Sequence, residues 1–324
     1  MDKKDKKILT ELIINSRIPI NRLSKKVGIS REVAAYRLNK LIEEKVILSF
    51  NTIINTKAIG FLRFGCCFQL KNISAQKEKE FLNFLINHDF VTYLGPIVGK
   101  WNFGFDLLAK NREHLETIIK EITSYFQGSI ESFIVINIGA EEFFPTKLMG
   151  VNREVTYREL NKNQTLNKID LEVLRLMSKN SRIEYVEISK RLNLTPNAIK
   201  YRIKNLENSG IIQGYTISLD IRKFGYEWKN IRIKSTGIKV NLLKNFLRQS
   251  KEVAYFYEYL GNENWDLDVG IIVQNSLQLR DFILGLREKF GDVIKIHEIY
   301  DIIEESKGNY APEGIFKLEM FKNS

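Results

Sequence analysis

Ser30, Arg31, Tyr36, Arg37 and Lys40 stand together in one short stretch, and Thr195, Asn197, Lys200, Tyr201, Arg202 and Lys204 in another 165 positions later. Guanidinium, ammonium, amide and phenol groups in such a set donate to phosphate oxygens and to the edges of bases. Each stretch opens on a hydroxyl residue, Ser30 or Thr195, able to cap a helix by accepting a backbone N–H. Pro196 adds a first-turn proline, where the missing N–H costs nothing. Ala34, Leu38 and Leu41, and likewise Ile199, Ile203 and Leu206, recur at helical spacing. Each stretch therefore predicts a helix held along a narrow apolar back, with its polar face turned outward and sized for a DNA major groove.

Two further elements must position each such helix. Ile8, Leu9, Leu12 and Ile13 make a helical stripe, Asn15 to Pro19 breaks it, and a short second helix runs from Asn21 to Val27, with Gly28 as the tight turn. The pattern is helix, helix, turn, outward helix. Val46 to Leu48 and Ile53-Ile54 read as short strands of a wing or connecting ribbon. The second copy runs in register without a gap, and 11 of the 37 positions 5–41 are identical in it, among them Asn15-Ser16-Arg17-Ile18 and Tyr36-Arg37. That is a duplicated module. Arg17 and Arg182, beside the first turn, read as structural, and Lys25, Lys190 and Arg191 as phosphate contacts.

After each module the period changes. Strand-like segments at Leu62–Leu70, Val91–Val98, Phe103–Ala109 and Ile130–Ile138 alternate with helical ones at Glu78–Ile86 and Leu115–Phe126. The order is β-α-β-β-α-β, a ferredoxin-like unit, and the second half repeats it. The predicted class is α+β, with two helix-turn-helix domains (1–58 and 167–224), two ferredoxin-like domains (59–140 and 225–306), a polar linker (141–166) and a tail (307–324).

The charge follows this division. Of a net +11, residues 1–60 carry +7 and 151–225 carry +6, while 61–150 and 226–324 carry −1 each. Cationic segments alternating with neutral ones predict two polyanion-facing modules on neutral platforms. Cys66-Cys67 lies within an apolar strand and reads as buried thiols, which with the lack of a leader-like start predicts a cytoplasmic protein. No apolar run is long enough for a membrane helix. His88, His114 and His297 are scattered, no metal-ligand spacing appears, and no phosphate loop or nucleophile elbow occurs, so no cofactor and no metal are expected.

Asp170, Ser181-Arg182-Ile183, Leu194-Thr195-Pro196, Tyr201-Arg202-Ile203, Leu206-Glu207 and Gly210-Ile211-Ile212-Gln213-Gly214-Tyr215 together resemble the signature of the Lrp/AsnC, or feast/famine, family. The first half keeps it in weaker form, with Lys45 in place of Gly210 and Ser49-Phe50 in place of Gly214-Tyr215. The resemblance covers nearly the whole chain, twice, whereas ordinary members carry one copy. It implies transcriptional control through double-stranded DNA and pairing of ferredoxin-like sheets, here as an intramolecular pseudo-dimer or a homo-oligomer. It also implies an amino-acid or related effector at the turn between the second and third sheet strands. That turn holds Gly99, Trp101 and Asn102 in one half and Gly261, Trp265 and Asp266 in the other. Asn102 stands where the family has an acid, so any effector pocket is expected in the second half. Arg37 and Arg202 match a family position and leave two readings open, a phosphate contact or an internal ion pair. The sirohaem decarboxylases share the architecture, but their His-Asn-Tyr motif is missing; His88-Asp89-Phe90 lies near that place without the Asn and Tyr. A regulator that has lost DNA contact is the third reading, and the retained cationic charge weighs against it. The chain is read as a regulator and not as an enzyme.

Overall fold

The computed structural model describes residues 1–71, 74–150, 166–236 and 240–317. In chain order the elements are α1 Lys3–Ile14, α2 Ile20–Val27, α3 Arg31–Glu43, β1 Ile47–Ile54, β2 Leu62–Leu70, α4 Ala75–Asn87, β3 Val91–Val98, β4 Phe103–Ala109, α5 Arg112–Tyr125 and β5 Ile130–Phe143. The second half follows as α6 Lys168–Lys179, α7 Tyr185–Leu192, α8 Pro196–Asn208, β6 Ile212–Leu219, β7 Glu227–Ser235, α9 Val240–Gln249, β8 Val253–Leu260, β9 Leu267–Val273, α10 Ser276–Phe290, β10 Ile294–Ile302 and the short β11 Lys307–Gly308. They form two units: Met1–Phe61 with Val155–Asp220 and the stretch from Asn309, and Leu62–Glu154 with Ile221–Gly308.

The first unit contains both three-helix modules. Asp2 caps α1 and Asn167 caps α6, each in a reciprocal capping box, with Asp5 and Asp170 respectively. Ile8, Leu9, Leu12 and Leu23 are fully buried in one module, and Val173, Leu174, Met177 and Ile188 in the other. The sequence predicts two short strands near positions 46–54; the structure has one, β1, which pairs antiparallel with β6 of the other copy. The polar residues between the predicted pieces are used in that pairing. Asn51 donates to the Ser218 hydroxyl at 2.9 Å, Thr52 to the Met177 carbonyl at 2.7 Å, and Thr216 to the Ile13 carbonyl at 2.9 Å. Asn51 faces Thr216 across the ribbon, and the two are 165 apart, so a local two-fold axis passes between them.

The second unit is built on one sheet, ordered β10-β7-β9-β8-β5-β2-β4-β3-β11, in which β10 also pairs with β3 at Asp301–Val98 and Ile302–Ile97. Eight strands thereby close into a ring, and β11 extends the edge of β3. Each half contributes four strands in the ferredoxin-like order, and the halves join edge to edge through β5–β8 and β10–β3. Helices α4 and α5 cover one half over Phe68, Phe81, Leu85, Phe103 and Phe105. Helices α9 and α10 cover the other over Ile231, Leu243, Leu247, Phe256 and Val269.

Two segments depart from the sequence reading. The stretch read as a linker from 141 begins inside β5, and Pro145–Met149 forms a 3-10 turn with Thr146, Lys147 and Met149 buried. The β5–β8 pairing, invisible locally, extends the strand to Phe143. The rest of the predicted linker, 151–165, lies outside the described residues. The tail read from 307 is also structured: β11 pairs with β3, and Glu313–Phe316 makes a 3-10 turn with Ile315 and Phe316 buried and Glu313 bonded to Arg175 and Lys179.

Candidate nucleic-acid interface

Helices α3 and α8 show the predicted two faces. Ala34, Leu38 and Leu41 are buried in one, and Ile199, Ile203 and Leu206 in the other. Outward stand Arg31, Tyr36 and Lys40, and Asn197, Lys200, Tyr201 and Lys204, all exposed. Tyr36 is 68% exposed and Tyr201 67%, an unusual cost for a phenol ring with no protein surface to cover it. The capping hydroxyls are occupied: Ser30 Oγ accepts the Val33 N–H and Thr195 Oγ1 the Ala198 N–H, both at 3.2 Å. Their place at the helix N-termini still points the remaining first-turn N–H groups outward, where an anion is favoured.

Arg37 and Arg202 make the internal ion pair that is one of the two readings the sequence leaves open. Arg37 donates to Asp2 at 2.7 Å and Asp5 at 2.8 Å, and Arg202 to Asp170 at 2.8 Å. Through one nitrogen each, both guanidiniums tie the outward helix to the first helix of its module. Hydrogen bonds from the Asp5 and Lys4 backbone and from Arg37 hold the Asp2 carboxyl down at about 2. The internal ion pair is formed in both modules, through one guanidinium nitrogen of each arginine, and the side chains stay partly exposed.

Arg17 and Arg182 cross between modules. Arg17 donates to the Ser181 and Ile183 carbonyls, and Arg182 to those of Ser16, at 2.5 Å, and Ile18, at 3.2 Å. Between them the Ser16 and Ser181 hydroxyls meet at 2.6 Å. Arg17 lies over the Tyr185 and Tyr215 rings and Arg182 over Phe50. Residues 165 apart touch here, as at Asn51 and Thr216, so the two modules are held as a pseudo-two-fold pair. On the adjoining helices Lys25 and Lys190 are exposed, and Arg191 bonds Glu187 at 2.6 Å.

The two candidate effector turns are filled by their own chain. Trp101 is 5% and Trp265 4% exposed. Asn102 accepts the Leu70 N–H at 2.7 Å. Asp266 accepts from Lys234 at 2.8 Å and from the Ser235 N–H and hydroxyl at 2.8 and 3.0 Å. Those donors lower its carboxyl against the opposing effect of burial. Gly99 and Gly261 shape the turns at positive φ. Asp266, the acid expected to serve an effector pocket in the second half, anchors the end of β7 through these bonds.

A model of the AsnC-type helix-turn-helix domain matches residues 1–42, and one of winged helix-turn-helix DNA-binding domains matches residues 166–213. An uncharacterized HTH-type transcriptional regulator of Pyrococcus furiosus is 37% identical over 142 residues, which is 43% of this chain and 95% of that protein. The HTH-type transcriptional regulator LrpA of Pyrococcus horikoshii is 31% identical over 134 residues, 40% of this chain and 92% of its own length. The chain belongs to the Lrp/AsnC family. It is a tandem member, because each of those relatives in nearly full length spans less than half of it. The crystal structure of the siroheme decarboxylase NirDL matches 98% of this chain and 98% of its own, with a TM-score of 0.64 and 14% identity. That likeness is one of fold, and extends over nearly the whole of both chains. His88, the nearest counterpart to the motif missing from this Lrp/AsnC chain, is 7% exposed and accepts the Phe90 N–H at 3.1 Å. Among the described residues no group of three His, Cys, Asp or Glu side chains is placed to hold a metal ion, and no helix is long and apolar enough to cross a membrane.

Proposed function

We propose that this Lrp/AsnC regulator reads duplex DNA with two different recognition helices carried by one chain, on a bipartite operator whose halves are not related by a palindrome. The observation that carries the reading is the pair of capped, outward helices joined by the reciprocal Arg17–Arg182 crossing. Their matching Tyr36 and Tyr201 support a common mode of approach. Their differing neighbours, Arg31-Glu32 against Pro196-Asn197, support different half-sites. A pseudo-two-fold pair of such helices suits half-sites about one DNA turn, roughly 34 Å, apart. Arg31, Lys40, Lys200 and Lys204 supply phosphate or base contacts, each phosphate contact steepening the salt dependence by about one unit.

Selection from random duplexes, followed by footprinting, tests the reading. Two dissimilar half-sites at fixed separation are the expected result; a palindrome, or no binding in dilute buffer, refutes it. The chain acts as a regulator and not as an enzyme on this reading, and absence of a new Soret band on adding sirohaem is the expected companion result. An amino-acid effector is expected in the second half, at the turn that holds Gly261, Trp265 and Asp266. Asp266→Ala is expected to lower the melting temperature, through its bonds to Lys234 and Ser235, and to weaken the calorimetric response to amino acids; an unchanged response refutes the site.

A further inference from the structure

Cys67 of β2 and Arg232 of β7 are also 165 apart, and they touch: a guanidinium nitrogen of Arg232 lies 2.8 Å from the Cys67 sulfur. They sit where the two halves of the ring face each other, as Ser16 and Ser181 do between the helical modules. At the helical axis the equivalent residues are alike. At this one they are opposites in size and charge.

The surrounding residues repeat the contrast. Arg232, 2% exposed, also bonds Glu298 at 2.6 Å and Asp268 at 3.3 Å, and its guanidinium carbon is 4.5 Å from the centroids of Trp265 and Tyr300. Its cage of acids and rings comes wholly from the second half; only the thiol comes from the first. Two positions back, Gly65 is matched by Asn230. A Cβ on Gly65 would lie 3.0 Å from the Tyr259 hydroxyl, a tight contact that an asparagine side chain would make tighter. Arg63 bonds Asp106 and Glu141 of its own half at 2.7 and 2.6 Å, and takes Tyr257 of the other half over its plane and at 3.3 Å. The second half thus presents Arg232, Tyr257 and Tyr259, and the first answers with Cys67, Arg63 and Gly65.

We propose that Cys67 and Arg232 form a specificity pair that makes the two ferredoxin-like halves exclusive partners: the first half pairs with the second and neither pairs with its like. Two second halves would bring Arg232 against Arg232 at a site with room for one sulfur, and Asn230 against Tyr259. Each guanidinium would bring its own Asp268 and Glu298, so what forbids the pair is volume and like charge: two guanidiniums cannot share a buried site that holds one beside a thiol. Two first halves would leave the volume of a guanidinium empty between two thiols, and Arg63 without its tyrosine.

The full chain tests this in two ways. Cys67→Arg, Arg232→Cys and the exchange of both are compared by melting temperature. The exchange is expected to recover most of the loss that Cys67→Arg causes, even where Cys67→Arg alone does not fold. Cys67→Met with Arg232→Ala, an exchange of volume without charge, is expected to recover less than the Cys67–Arg232 exchange; an exchange that recovers no more than this pair, or no more than the worse single variant, overturns the proposal. Separately, the wild-type chain is treated with copper-phenanthroline and its peptides mapped. No Cys67–Cys67 link is expected, because each Cys67 faces an arginine; a dimer joined through Cys67 overturns the proposal.

Discussion

Lys45 holds a left-handed φ of 54° at the place where the second copy has Gly210 at 76°. A side chain in that conformation is strained, so Lys45→Gly is expected to stabilise the first module by about 0.5–1 kcal/mol, seen as a higher denaturant midpoint. The other helix junction shows the reverse exchange, Gly28 for Asn193, and asparagine tolerates the conformation. Tyr36→Ala and Tyr201→Ala remove exposed rings, so folding should be unchanged while operator affinity falls by roughly 1–3 kcal/mol for each lost base contact. Equal loss of stability and affinity would count against recognition by these rings. Arg37 and Asp2 supply a pH test. The Asp2 carboxyl is lower in the folded chain than in the unfolded one, so its contribution is present in full above the ordinary carboxylate range and disappears as pH falls through about 2. Arg37→Ala should flatten the acid limb of the α1 unfolding curve.

At the scale of elements, the joins between repeats matter more than the repeats. Lys147, beyond β5, donates to the carbonyls of Leu247 and Ser250 at 3.3 and 2.8 Å, at the C-terminal end of α9. Lys307 of β11 donates to the His88 carbonyl at 2.9 Å, just past the end of α4. Each half thus caps the first helix of the other, where orphan carbonyls and the helix dipole favour a cation. Burial nevertheless pushes both ammonium groups down to about 8. The folded chain therefore holds fewer protons than the unfolded one between about 8 and the usual lysine value, and stability rises with pH across that interval. Replacing both lysines by methionine should remove that part of the slope in melting temperature between pH 8 and 10. The crossing of Arg17 and Arg182 has a different readout. Replacing both by alanine is expected to cost about 1.5–3 kcal/mol for each charged hydrogen bond lost, and to let selection return half-sites at several spacings. None of these joins was legible in the sequence. Helices α3 and α8, the core stripes and the β-α-β-β-α-β order follow from local periodicity, but Lys147 fell in an apparent linker and Lys307 in an apparent tail. Their partners are about 100 and 219 positions away.

For the whole chain, duplication was readable where both copies kept the same contacts and unreadable where they diverged. Ser16-Arg17 and Ser181-Arg182 are identical because each makes the same bond to the other. Asn230, Arg232 and Lys234 alternate along β7 as a solvent-facing strand would, yet Asn230 and Arg232 are buried, because ring closure turns that face inward. Arg232 between two isoleucines implies carboxylates near it, but nothing local to that strand points to Asp268 and Glu298 as their source.

The β1–β6 ribbon is made by a single polypeptide, and mass action acts differently on such an object. A reader assembled from two separate chains thins out with the square of its concentration, so dilution strips it from its target before saturation is lost. Here both grips are synthesised together, and their mutual concentration is set by covalent tether instead of by copy number. Titration against the operator should therefore trace a plain hyperbola down to the lowest protein levels that can be measured.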